Sequence, residues 1–177
     1  VYSRAESMTS TTKRHPAEMR GRIGCDAAGR ITGVEFEGRF NTGAYSSWGP
    51  TVANRVPVHV SGPNLTPAIT ARARAIHTHG PVSGAFRGFG VPQGALWQEV
   101  LYDRLAEKAG LDRLEFRVLN ALSDGDASAT GQVMRAVGIR ECLTALRPHW
   151  QRALAEMRPG RGVGIASCWY GCGNTAL

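Results

Sequence analysis

The residues best suited to chemistry form one short stretch, Gly84-Ala85-Phe86-Arg87-Gly88-Phe89-Gly90. Its three glycines allow a tight turn that can approach a bound group closely, and the turn holds an arginine and two aromatic rings. Pro92 follows and is typical of the start of a helix, where the first amide groups have no partner within the helix. Such a turn can hold an anion and clamp a flat molecule between rings.

The alternative is a tight strand-to-helix turn whose phenylalanines fill the core, and these seven residues alone favour neither interpretation. Their glycine spacing, G-x-x-x-G-x-G, is the reverse of the dinucleotide-binding order G-x-G-x-x-G. A Walker loop is excluded as well, because no Lys-Ser/Thr pair follows the glycines. The turn therefore matches neither common phosphate-binding motif.

Other chemistry-bearing residues give weaker signals. His77 and His79 are two apart on an expected strand and share one face, but no third ligand is evident, so a metal site is the minority interpretation. His59 and His149 lie beside apolar stripes and are interpreted as structural residues. The 4 cysteines lack the paired spacing of a zinc site and are expected to be reduced, buried apolar side chains.

The elements that must position the glycine-rich turn are strands before it and helices after it. Alternating side chains predict a hairpin, with one strand over 19–25 and a partner through Val34 and Phe36, joined by the turn at 26–29. A further strand is expected over 69–75 and a short helix near 52–60. The first half is therefore expected to hold antiparallel strands.

The second half changes to a helical period. Apolar residues recur every three or four positions from Pro92 to Ala109, and Gly110 is placed to end that helix. Asp112 is expected to cap the next helix, and Pro148 to kink or split a later stripe. A new strand is expected over 163–167. The predicted fold class is α+β.

Composition sets the broad class. The 177 residues suffice for a real core, and no apolar run approaches the roughly 18 residues of a membrane span. The net charge of +7 comes almost entirely from dispersed arginines, so nucleic-acid binding is the minority interpretation. Because the chain starts at Val1 and shows no signal peptide, we interpret it as a cytoplasmic piece of a longer protein.

The turn and its flanking motifs resemble the large subunit of the molybdenum hydroxylases, the xanthine dehydrogenase and aldehyde oxidase family. The matching segments occur in the family's order along the whole chain: Arg4-Ala-Glu-Ser-Met8, Lys13-Arg-His-Pro16, Asn41-Thr-Gly-Ala-Tyr45, Gly84-Ala-Phe-Arg-Gly-Phe-Gly-Val-Pro-Gln93, Leu114-Glu-Phe-Arg-Val-Leu-Asn120 and 162–173. The resemblance implies one fragment, 1–177, of the molybdopterin-binding domain. Its parts are a strand-rich region 1–80, a cofactor and substrate loop 84–94, a helical region 92–158, and the start of a strand with a glycine-rich turn at 162–177.

The resemblance implies roles for single residues. Phe86, Arg87 and Gly88 are expected to contact the molybdopterin cofactor, although Phe86 as a core residue stays open. Phe89 is expected to stack on the ring of the substrate. Arg55 matches the arginine that pairs with the polar edge of the substrate and stabilises charge in the transition state. The alternative for Arg55 is a helix arginine that bonds carbonyls.

Other parts of the family's site are missing or altered. Xanthine-oxidising members carry a second phenylalanine against the substrate, and the matching position here is Asn174. The loss of that ring weakens the case for a purine. Thr175, the next residue, is expected to contact the substrate. The family's general base is expected outside this chain. No residue is expected to bind the metal directly.

The implied function is part of a molybdopterin-dependent oxidoreductase that hydroxylates an aromatic N-heterocycle, such as a xanthine-like purine, or an aldehyde with water-derived oxygen. The fragment alone is expected to be inactive. Partner domains or subunits are expected to carry 2Fe-2S clusters and FAD, in a dimeric assembly without nucleic acid. Two alternatives remain: a non-catalytic binding or scaffold domain, and a degenerate paralogue with a basic partner-binding surface.

Overall fold

Strands occupy the first half of the chain and helices follow, in a computed structural model that describes residues 1–171. The elements in chain order are α1 (Arg4–Ser10), β1 (Ala17–Cys25), β2 (Ile31–Gly43), α2 (Gly49–His59), β3 (Ile69–His77), α3 (Val91–Lys108), α4 (Arg113–Asn120), α5 (Ile139–Ala145) and α6 (Arg147–Ala155). The α+β class is therefore confirmed.

The sheet has the strand order β1-β2-β3 and is mixed. The predicted hairpin is present, with Ile23 opposite Val34 in antiparallel register. However, β3 runs parallel to β2, with Val34 beside Ile69, so the expectation of antiparallel strands is wrong for this pair. The reason is the crossover through α2, which returns the chain to the starting end of β2.

Helices α2 and α3 cover one face of the sheet. Phe36 and Phe40 are almost fully buried against Val56 and Val60 of α2, and Trp97 of α3 packs at the edge of this cluster. The ring of Phe36 meets the ring of Trp97 edge-on at a centroid distance of 5.0 Å. This packing fixes α2, and with it Arg55, above the sheet.

The helical half follows the sequence pattern closely. The predicted helix from Pro92 forms α3, and Gly110 follows its last turn at φ +67°. Asp112 caps α4 through hydrogen bonds from the N–H groups of Leu114 and Glu115, at 2.8 and 3.1 Å. Helices α5 and α6 are separate, with Pro148 in the first turn of α6, as predicted.

Two local expectations differ from the structure, and one helix was not expected. Residues 163–167 form no strand, because no backbone hydrogen bond in residues 1–171 joins them to a neighbouring strand. Cys142 and Cys168 are exposed, so the expectation of burial is wrong for both. Helix α1 was not predicted, although Ser3 and Glu6 form a capping box at its start.

None of the helices in residues 1–171 combines the length and apolar character of a membrane crossing.

Candidate cofactor loop and adjoining pocket

The glycine-rich turn, residues 84–90, is a reversal built from three consecutive left-handed residues. Gly88, Phe89 and Gly90 have φ angles of +91°, +47° and +94°. Two hydrogen bonds close the reversal: Phe89 N–H donates to the Phe86 carbonyl at 2.8 Å, and Val91 N–H to the Gly88 carbonyl at 2.9 Å. Glycine suits this geometry, whereas Phe89 adopts it at a cost.

Gly90 also allows the turn to lie directly on α2. A Cβ atom at this position would lie 2.6 Å from the Val52 carbonyl oxygen and 3.0 Å from a Val56 methyl group. The missing side chain therefore lets the start of α3 pack against α2. The turn therefore lies directly beside the side chains of α2.

The exposed part of the turn carries hydrogen-bond donors that residues 1–171 leave unused. Among residues 1–171, the N–H groups of Arg87 and Gly88 have no hydrogen-bond acceptor, and both residues are at least partly exposed. The Arg87 side chain is exposed and has no partner in the same part of the chain. Backbone donors beside a guanidinium suit an anionic or oxygen-rich group, so the donor set fits the phosphate and pterin oxygens of a molybdopterin.

Arg14 holds the turn from the side, and sequence reasoning did not identify it. Its guanidinium donates to the Arg87 carbonyl and lies 4.8 Å from the centroid of the Phe86 ring. Phe86 is 46% exposed, so the alternative in which it fills the core is wrong. The ring packs on Arg14 instead, because the turn carries it away from the sheet.

Arg55 and Phe89 meet at the inner side of the turn. The Cζ atom of Arg55 lies 6.0 Å from the centroid of the Phe89 ring and 4.7 Å from that of Tyr170. Arg55 also donates to the Gly171 carbonyl at 2.5 Å. The side chain thus bonds a carbonyl, as one interpretation of the sequence expects, and lies near Phe89; its pairing with a substrate stays a prediction.

A cavity of about 630 Å³ opens beside Arg55. Its walls come from α2, from the segment 128–134 and from residues 169–171, and include Trp48 and Trp169 together with Asn54, Ser128 and Gln132. Such a volume, with aromatic walls and a few convergent polar groups, is typical of small-molecule sites. The pocket can therefore hold an aromatic molecule with a polar edge.

His59 lines the same pocket one helical turn after Arg55. Its ring is buried, with Nδ1 2.9 Å from the Arg55 carbonyl oxygen and Nε2 3.1 Å from the Gly171 nitrogen. Burial lowers the pKa of His59, as does the charge of Arg55, while the hydrogen bond to the carbonyl opposes the shift. The spacing of four from Arg55 was the available signal, because it places both residues on one helix face.

The remaining sequence candidates are placed as follows. Arg87 and Gly88 lie on the turn, and Thr175 lies outside the described residues. His77 contacts the Gly43 carbonyl oxygen through Nδ1 at 3.2 Å. Residues 1–171 contain no cluster of three or more metal-ligating side chains around His77 and His79 or elsewhere.

Comparison with known proteins places these features in a family context. A family model described as the molybdopterin cofactor-binding domain matches residues 1–121. The nicotinate dehydrogenase large molybdopterin subunit of Eubacterium barkeri is 43% identical over 148 residues, which cover 83% of this chain and 35% of that protein. The aldehyde oxidoreductase of Megalodesulfovibrio gigas is 32% identical over 178 residues, covering 97% of this chain and 20% of the relative.

Solved structures agree with these sequence matches. The aldehyde oxidoreductase from Desulfovibrio gigas superimposes with a TM-score of 0.85 at 32% identity, over 88% of this chain and 17% of that one. A Cu,Mo-CO dehydrogenase shares the fold at a TM-score of 0.68 and 15% identity. The chain spans between a fifth and about a third of the length of these curated relatives.

Proposed function

Because this chain belongs to the family of molybdopterin cofactor-binding domains, we propose that it is part of the large subunit of a molybdenum hydroxylase. The family recognised from the sequence motifs is thereby confirmed. The cofactor is proposed to lie on the glycine-rich turn, and the substrate to enter the pocket beside Arg55. The matches of the chain to named oxidoreductases support an enzyme over a scaffold domain.

One observation carries the proposal: the same short loop holds the N–H donors that residues 1–171 leave unused and the Phe89 ring, which lies 6.0 Å from the Cζ atom of Arg55. When bound, the cofactor supplies a two-electron oxidation with water-derived oxygen, and the protein supplies binding and orientation. Arg87 and the N–H group of Gly88 are proposed to bind the polar groups of the cofactor. Phe86 borders the same surface.

The substrate side of the loop is proposed to orient a flat molecule. Phe89 offers a ring face for stacking, and Arg55 offers a positive charge beside it. That charge stabilises negative charge that develops on a heterocycle during attack. Thr175 remains a proposed contact.

We propose an aromatic N-heterocycle as the substrate class. The aromatic pocket walls suit a ring, and the nicotinate dehydrogenase subunit is more similar in sequence than the aldehyde oxidoreductase, at 43% against 32% identity. An aldehyde is the second candidate, supported by the TM-score of 0.85. Electrons are proposed to leave through 2Fe-2S clusters and FAD on partner domains or subunits.

The test uses the full-length protein with its partner subunits. We expect molybdenum to co-purify with it, and oxidation of nicotinate or xanthine to exceed that of benzaldehyde with an artificial electron acceptor. Arg87→Ala should lower molybdenum content because it removes a cofactor contact. Arg55→Ala should keep the metal but lower kcat about 10²- to 10³-fold, the usual effect of removing one charge-stabilising donor.

Arg104→Ala is the matched control, because Arg104 is exposed on α3 and far along the helix from the turn. It should change neither metal content nor turnover. A full-length protein that never acquires molybdenum would overturn the proposal and favour the scaffold or degenerate paralogue. Normal molybdenum content in Arg87→Ala would remove the role proposed for that residue.

A further inference from the structure

His59 makes two directional hydrogen bonds that require one particular protonation state. Nε2 lies 3.1 Å from the Gly171 nitrogen, which carries a hydrogen, so Nε2 accepts and holds no proton. Nδ1 lies 2.9 Å from the Arg55 carbonyl oxygen, so Nδ1 carries the proton and donates it. The two contacts together select the neutral ring with hydrogen on Nδ1.

Side chains of α2 bond both backbone groups of Gly171, its N–H and its carbonyl oxygen. His59 accepts its N–H, and the Arg55 guanidinium donates to its carbonyl oxygen at 2.5 Å. A Cβ atom at Gly171 would lie 3.4 Å from both the Arg55 Nη2 and the His59 Nε2 atoms. This close approach joins residues 112 positions apart in the sequence.

Two aromatic residues before Gly171 complete the contact with α2. Trp169 donates through Nε1 to the His59 carbonyl oxygen at 3.4 Å, and its ring meets the His59 ring edge-on at 6.0 Å. Tyr170 stacks on His59 at 6.1 Å and on the Arg55 guanidinium at 4.7 Å. The Arg55 guanidinium therefore lies near two rings, those of Tyr170 and Phe89.

We propose that His59 is a positioning residue for Arg55. In its neutral form it anchors residues 169–171 to α2, and the anchored Gly171 carbonyl and Tyr170 ring set the orientation of the Arg55 guanidinium towards an aromatic ligand. The anchoring is a property of the fold, and its catalytic consequence rests on the proposed function. The Phe89 ring also lies near Arg55 but is not part of the contact between His59 and residues 169–171.

Protonation of His59 should release the anchor. A second ring N–H would then face the N–H of Gly171, and a positive ring would lie next to the Arg55 guanidinium. Within the described residues 1–171, the titratable or charged groups that contact His59 are Arg55 from α2 and Tyr170 from the segment 169–171. Neither supplies a negative charge that would stabilise the protonated ring.

The first measurement is hydrogen exchange by mass spectrometry on the full-length protein, in the peptide that contains 169–171. His59→Phe keeps the ring but removes both nitrogens, and should raise exchange there roughly three- to tenfold, as expected for one lost hydrogen bond. His59→Asn keeps a donor near the Nδ1 position but cannot reach Gly171, so it should show the same increase. His59→Gln places an acceptor near the Nε2 position and should restore protection.

The second measurement is steady-state oxidation of nicotinate by the same variants. His59→Phe should lower kcat about tenfold with a small change in KM, because a misdirected Arg55 loses its fit to the transition state. In an Arg55→Ala background the same change should have no further effect, since His59 acts through Arg55. His149→Phe is the matched control, because His149 is an exposed histidine on α6.

The outcomes separate the two proposals. Unchanged exchange at 169–171 in His59→Phe and His59→Asn would overturn the anchor, whatever the activity. Raised exchange with full nicotinate turnover would overturn the positioning role. A protein without molybdenum or turnover would remove the proposed function, while the exchange experiment still decides the anchor. If His59→Phe does not accumulate, His59→Asn decides the same question.

Discussion

Phe89 shows how one residue of the turn combines a backbone cost with a position beside Arg55. Its φ angle of +47° lies in the left-handed region, which is rare for residues other than glycine. Conformations of this kind cost roughly 1–3 kcal/mol and persist only where the surroundings enforce them. Here the two hydrogen bonds that close the turn and the packing of Gly90 on α2 enforce it, and the Phe89 ring lies near Arg55 as a result.

Gly90 is expected to be the least replaceable residue of the turn. Gly90→Ala adds a Cβ 2.6 Å from the Val52 carbonyl oxygen at a φ of +94°, so it combines backbone strain with a clash against α2. The thermal midpoint of the full-length protein should fall, and molybdenum content should fall with it because the donors of the turn move. Both can be measured on the same preparation.

Gly110→Ala is the control for Gly90→Ala. Gly110 also has a positive φ, +67°, but a Cβ there would meet nothing within 4 Å. It should cost only the backbone strain of about 1–2 kcal/mol and leave molybdenum content unchanged. Equal effects of the two substitutions would show that close packing of the turn on α2 is not what Gly90 provides.

Single residues of the site differ in how far the sequence could reveal them. Arg55 and Phe89 were identified through the family resemblance, and the structure brings them within 6.0 Å. Arg14 and His59 were missed as site residues, because their importance comes from contacts with residues distant in the sequence. The bond between His59 and Gly171 has no local pattern that periodicity or spacing could show.

At the scale of elements, Asp112 connects two helices through its two carboxylate oxygens. Oδ1 accepts the N–H groups of Leu114 and Glu115 and caps α4. Oδ2 accepts the indole N–H of Trp150 in α6 at 2.8 Å. The same residue thus starts one helix and fixes the position of another.

Substitutions at Asp112 should separate these two roles. Asp112→Asn retains a capping oxygen but turns an amide donor towards the Trp150 N–H, and Asp112→Ala loses both bonds. Asp112→Ala should therefore be less stable than Asp112→Asn by about 1 kcal/mol, the usual value of a cap. Trp150→Phe should resemble Asp112→Asn. The urea midpoints of the full-length variants give the order, and equal midpoints for Ala and Asn would contradict the capping role.

Helices marked by apolar spacing, a capping residue or a proline were predictable from the sequence, whereas strands that depend on pairing with a distant segment were not. The period of three to four gave α3, Asp112 gave the start of α4, and Pro148 gave the break between α5 and α6. The parallel pairing of β3 depends on the crossover through α2, which alternation of side chains cannot show. A strand over 163–167 likewise needs a neighbouring backbone, and residues 1–171 offer none.

At the scale of the whole molecule, burial disfavours the protonated form of two histidines, His15 and His59, in a chain whose net charge is already +7. Burial lowers the pKa of His15, and the charge of Arg14 lowers it further. Burial also lowers the pKa of His59. In the folded state the charged form of each ring is thus disfavoured relative to the unfolded chain, where the ordinary pKa is about 6.5.

This predicts a loss of stability in mild acid. Between the lowered pKa of the folded state and about 6.5, the unfolded chain binds more protons, so the free energy of unfolding falls as the pH falls. Each histidine contributes a slope of at most about 1.4 kcal/mol per pH unit. Urea midpoints of the full-length protein between pH 7.5 and about 5 would measure it. His15→Gln should flatten the profile while the exposed His149→Gln should not, and an unchanged slope in His15→Gln would show that burial of His15 does not disfavour its charge.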